Sequence, residues 1–253
     1  MAKGNGEAAP LPAAPVLAVG LGRGFGGKST GLAELVWRAR HQGRDVIVAD
    51  GDVRSRTLAG LFPDEALAPP TGELPDIKAW LTRVLNRMIR EKRSAVLDLG
   101  GGDRVLQEYG RDLRLVEFCA RRGIEPLALY FLGPEEEDLR HVLAIWEAGY
   151  FRPARCLLVL NEGVIREGRT VAGAFERTVG DPGFKAMVGA GAVPLLMTRL
   201  ACMDALRTLG AGFYRTAAGD GIEIDPVEQF MVEDWLADLE AKRARVGASA
   251  WLP

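Results

Sequence analysis

The sequence predicts an α/β protein with a mostly parallel central sheet flanked by helices. Three observations carry that expectation. Short, continuous apolar runs, of the kind buried on both faces of a sheet, alternate with helical stripes along the chain. Glycine, proline and Asn/Asp clusters mark the changes between them. Residues with chemistry gather where the apolar runs end, the edge at which open parallel sheets place their ligands. A chain of 253 residues suits one large domain better than two small ones.

Residues 1–15, rich in Ala, Pro and Gly and lacking an apolar core, read as a flexible lead-in rather than a signal peptide. The run 15–21 is the first strand. Glycines at 22, 24, 26 and 27 precede Lys28-Ser29-Thr30, after which Leu32, Leu35, Val36 and Ala39 recur at helical spacing and Gly43 marks a stop. Residues 45–50 form a second strand that ends in acid. Repeated breakers make 61–75 a loop. Ile77, Trp80, Leu81, Val84, Leu85, Met88 and Ile89 form a core-facing helical stripe. Residues 94–99 are the third strand, broken by Gly100-Gly101-Gly102. A helix is expected over 113–122 and a strand over 126–132. Pro134 then opens a helix whose first turn holds Glu135, Glu136 and Glu137, where the helix dipole favours acid; this explains the run better than a metal cluster does. A strand over 155–160 closes on Asn161-Glu162-Gly163. A helix is expected over 170–179, a strand over 192–197, and helices from Cys202 and from Asp225. The domain is drawn as 16–246, with 247–253 as a tail.

Hydrophobic residues make up 48% and charged residues 26%, ordinary for a globular protein, and no apolar run reaches transmembrane length. A net charge of −2 supplies no basic field, so any DNA contact falls to a local patch or a partner. Cys119, Cys156 and Cys202 are far apart and lack metal-ligand spacing, which argues against zinc and fits a reducing, cytoplasmic setting.

Gly22 to Ser29 fits G-x-x-x-x-G-K-[ST], the phosphate-binding P-loop. Its glycines let backbone N–H groups turn inward on phosphate oxygens. Lys28 reaches the β- and γ-phosphates, Ser29 offers a hydroxyl to Mg²⁺, Thr30 meets the α-phosphate, and the helix that follows adds its positive end. Strand, loop and helix come in the order the motif requires.

Residues 23–30 resemble the deviant Walker A loop of the ParA/MinD family of P-loop ATPases. Asp50-Gly51-Asp52 stands where that family carries D-x-D, with Asp52 24 positions after Lys28. Residues 96–102 resemble its Walker B strand and switch II, and Asn161 its adenine-contacting asparagine. The resemblance spans roughly residues 16–200. It implies a P-loop NTPase fold that binds ATP with Mg²⁺, pairs as an ATP-dependent homodimer, answers to a protein partner or activator, and serves plasmid partition, conjugal transfer or cargo positioning. Carried over by position, it gives Lys28, Asp52, Asp98 and Arg23 catalytic roles. Nucleotide contacts fall to Gly24, Gly26, Gly27, Lys28, Ser29, Thr30, Gly101 and Asn161, and the metal to Ser29, Asp98 and Asp52.

Two positions depart from the family. Its trans-acting lysine is Arg23 here, which either serves as an arginine finger or simply faces solvent. Its second loop glycine is Phe25, placed near the dimer face. Either acid of Asp50-Gly51-Asp52 could be the more important one. Two other functions share the loop: a phosphotransferase acting on a small molecule, and an ATP-sensing module that does not hydrolyse.

Overall fold

The computed structural model describes residues 14–100, 103–166, 169–209, 212–220 and 223–253. Within them the chain runs β1 (Val16–Leu21), α1 (Lys28–His41), β2 (Val46–Asp50), α2 (Thr57–Leu61), α3 (Leu74–Glu91) and β3 (Ser94–Asp98). It continues through α4 (Asp103–Leu113), α5 (Leu115–Arg121), β4 (Glu125–Leu132), α6 (Glu136–Ala148) and β5 (Arg155–Asn161). Then come α7 (Glu176–Gly180), α8 (Pro182–Gly189), β6 (Val193–Met197), α9 (Met203–Leu209), α10 (Phe213–Ala218) and α11 (Pro226–Arg245).

The strands form one parallel sheet in the order β2-β3-β1-β4-β5-β6. From β1 the chain steps one way to β2; every later step runs the other way. Parallel crossovers are right-handed, so α1 must cover one face and the helices from α3 to α8 the other. The core divides accordingly. Leu17, Val19 and Leu21 meet Trp80, Leu81 and Val142, whereas Val16 and Ala18 meet Leu32, Val36 and Leu236. That two-sided burial is why the strands read as unbroken apolar runs. The reversal at β1 opens a crevice at the carboxyl edge of the sheet, and the glycine loop lies there.

Several elements depart from expectation. The helix expected over 113–122 is two, α4 and α5, separated at Arg114, whose φ is 52°. Over 170–179, helix forms only from Glu176, in α7. Asp181-Pro182-Gly183 has the composition of a turn but starts α8. The Asp181 carboxylate accepts the amides of Gly183 and Phe184, and Pro182 takes the first helical position. Inside the expected loop 61–75, Leu67 bridges Ala49 and covers the outer edge of β2. Ala248 and Leu252 are core residues, so the packed unit runs past residue 246.

The sequence also hides a buried ion lattice between α1 and α11. Arg243 Nη1 donates to Glu34 Oε1 at 2.9 Å and to Glu240 Oε1 at 2.8 Å, and Arg38 Nε donates to Glu240 Oε1 at 2.6 Å. Tyr214 adds a hydroxyl to Glu34. Removing one member of such a lattice leaves a buried charge without its partner. Arg243→Ala should therefore lower the unfolding free energy by about 3–5 kcal/mol in a urea titration at neutral pH. Burial pushes the Glu240 carboxyl up, but the Arg38 hydrogen bond and the Arg243 charge outweigh it and hold it below its ordinary value. A carboxyl so held stabilises the fold above its unfolded value of 4.5, and the gain is lost as pH falls through the lower folded value. The difference between wild type and Arg243→Ala should shrink over that acid range.

Candidate functional site

Residues 22–27 turn out of β1 and feed α1 with its first turn already aimed at the crevice. Gly27 caps the helix in the left-handed region at φ 78°. A Cβ at that position would stand 2.1 Å from Asn161 Nδ2, so backbone conformation and space both require glycine. Asn161, at the end of β5, is 135 residues from the loop in sequence and buried against it. Its amide nitrogen donates to the Gly26 carbonyl at 3.0 Å, and its oxygen accepts the Gly163 amide at 2.9 Å. Asn161, expected to touch a base, braces the loop and also lines the cavity beside Thr30.

Lys28 is buried and folded over the loop, with Nζ donating to the carbonyls of Gly22 at 3.1 Å and Arg23 at 2.9 Å. Ser29 Oγ donates to Asp98 Oδ2 at 2.6 Å, and the other Asp98 oxygen accepts the Gly100 amide. These two groups join α1 to the end of β3. As hard oxygen donors at the motif's metal position, they fit a small divalent cation that keeps part of its water shell. Among the described residues no cluster of three or more His, Cys, Asp or Glu forms a larger metal site.

The two acids after β2 differ in environment. Asp50 is buried, and its oxygens accept the amides of Asp52 at 2.9 Å and Ala59 at 2.7 Å. Burial pushes its carboxyl up, and the charges of Asp98 and Asp52 add to that. Asp50 is therefore a tether for the loop. Asp52 stands on the loop itself, and a Cβ on Gly100 would lie 2.7 Å from its carboxyl, so it rests against the turn after β3. Partial burial acts upward on Asp52, but the Ser55 hydroxyl, the amides of Ser55 and Arg54, and the Lys28 charge together hold it below its usual value.

Lys28, Ser29, Asp98 and Asp52 are thus brought together. Gly24 stands in open space at the tip of the loop, and Gly101 lies outside the described residues. Arg23 is exposed, with Nη1 3.7 Å from Asp138 Oδ1 on α6. Phe25 is fully exposed at φ 63°. Thr30 lines a cavity of about 430 Å³ beside the loop, walled by Val164, Leu200, Met203 and Trp235. The segment after β6 that builds this wall carried no motif; the strand-end rule applied to the last strand would have found it.

The cell division protein FtsY of Thermotoga maritima is similar over 92% of this chain and 72% of its own, at 12% identity and a TM-score of 0.50. The chloroplast FtsY of Physcomitrella patens is 20% identical over 73% of this chain, with a TM-score of 0.47; the match covers 59% of that protein, less than two thirds of its length. A chain of the MinC:MinD cell division protein complex of Aquifex aeolicus is 12% identical over 90% of this chain and 96% of its own, with a TM-score of 0.48. No protein-family model and no curated protein matches the chain. The fold is that of P-loop NTPases, a parallel sheet flanked by helices.

Gly27→Ala combines left-handed strain with loss of the Asn161 clamp. It should cost about 2–5 kcal/mol in thermal or urea unfolding. The cost should be smaller in an Asn161→Ala background, where the clash is gone.

Proposed function

We propose that this chain is a ParA/MinD-like ATPase. It binds Mg-ATP at the loop after β1, pairs with a second copy while ATP is bound, and hydrolyses ATP to end that pairing. The observation that carries this reading is the convergence of Lys28, Ser29, Asp98 and Asp52 on one loop at the sheet's switch point. Lys28 already lies over the loop, and on binding it exchanges the carbonyls of Gly22 and Arg23 for β- and γ-phosphate oxygens. Ser29 and Asp98, with Asp52, would hold Mg²⁺, and the bound cation would supply neutralisation of phosphate charge. Asp52 is held in its ionised form by its own loop and the Lys28 charge, beside the turn after β3, so it positions the attacking water. The cavity past Thr30 takes the base and ribose. Arg23 trades Asp138 for the second copy's nucleotide. The cellular task is plasmid partition, conjugal transfer or positioning of another cargo, under a protein activator.

Titration with a fluorescent ATP analogue, with GTP as competitor, tests the site. Lys28→Ala should weaken binding at least about 100-fold by removing a charge-assisted phosphate contact. Binding like wild type would end the assignment, and preference for GTP would reassign the base.

Turnover separates the two acids. Asp52→Ala should keep nucleotide affinity within about threefold and slow hydrolysis by about 10²-fold or more, the pattern of an interaction made in the transition state. Asp50→Ala should instead lower stability, because the amides of Asp52 and Ala59 lose their acceptor. Hydrolysis in the absence of any added acceptor distinguishes an ATPase from a phosphotransferase.

A further inference from the structure

Phe25 is the most exposed of the exposed large apolar side chains among the described residues, and it stands at φ 63° on the tip of the loop. Both properties are unfavourable in an isolated chain. A glycine there would relieve the backbone, and a polar residue would suit the solvent. A groove of about 640 Å³ opens at the same carboxyl edge of the sheet. Its walls are Val53, Leu74, Ile77, Leu99 and Val105, and Asp52, Arg54 and Glu73 stand among its polar residues. Ile77, Leu99 and Val105 are buried side chains, so the floor is firm.

We propose that Phe25 is the anchor of self-association, its ring seated in this groove on a second copy of the chain. The inference rests on the dimer reading above and names the contact that makes it. Each copy carries one knob and one socket on the nucleotide face, so a two-fold arrangement fills both at once and closes the assembly. An exposed aromatic entering an apolar pocket is the usual form of a binding hot spot. Charge agrees: the groove's Asp52, Glu73 and Arg54 leave it net negative, and Arg23 stands two residues from the ring. Seating Phe25 also brings the second copy against the loop that carries Asp52, so pairing and hydrolysis share one surface.

Sedimentation velocity with a non-hydrolysable ATP analogue, at concentrations saturating for each variant, tests the contact. Wild type should dimerise, while Phe25→Ala and Leu74→Arg should each weaken dimerisation about tenfold or more. Mixed chains carrying Phe25→Cys and Leu74→Cys should form an intermolecular disulfide only with the analogue present; the native cysteines are buried. If wild type dimerises while Phe25→Ala and Leu74→Arg pair as tightly, or if the mixed chains fail to cross-link, the Phe25 contact is overturned and the dimer stands. If wild type stays monomeric with the analogue at tens of micromolar, roughly the range of weak affinity, the dimer reading falls and the contact with it.

Discussion

The lattice of Glu34, Arg243, Glu240 and Arg38 fixes α1, the helix that leaves the glycine loop. Lys28, Ser29 and Thr30 occupy the first turn of α1, so a small rotation of that helix would move all three. The apolar face of α1 packs on the sheet through Leu32, Leu35 and Val36, contacts that tolerate some sliding. Guanidinium forks on carboxylates tolerate far less. Well-packed apolar residues would stabilise α1 about as well as this lattice of three buried charges and the half-buried Glu240. What the charges add is angular definition, and α11 is the surface that supplies it.

A second constraint acts from the other side of the loop. Asn161 clamps Gly26 from the end of β5, while Asp98 receives Ser29 from the end of β3. The loop is therefore held between two strands that flank the centre of the sheet on opposite sides. The neighbouring acids show how environment divides labour within three residues. Asp50 is buried and consumed by backbone amides, and its carboxyl is pushed up. Asp52 is partly exposed, receives the Ser55 hydroxyl as well as the amides of Arg54 and Ser55, and is held down. Their identical chemistry gives no hint of this in sequence.

Legibility follows from range. The strands could be read because burial on both faces leaves an unbroken apolar run, and 45–50, 94–99 and 126–132 differ from β2, β3 and β4 only at their ends. The loop could be read because spacing within it carries the chemistry. Short helices such as α2, α8 and α10 could not, since pieces of five to eight residues owe their existence to packing rather than propensity. The strut role of Asn161 and the pairing of Glu34 with Arg243 join residues 135 and 209 positions apart, and nothing local encodes either.

The central place of β1 also sets the order in which the molecule can assemble. Val16 pairs with Glu125 and Leu17 with Ala95, so the first strand waits for both neighbours while the ribosome adds about a hundred residues. At ordinary elongation rates that is roughly 5–20 s during which VLAVGL has no sheet to join. Parallel pairing over such separations is slow even once the neighbours exist. The nascent chain therefore carries its most buried strand as its longest-lived sticky segment, and α11, bearing Arg243, is the last piece to close over the helix that follows it.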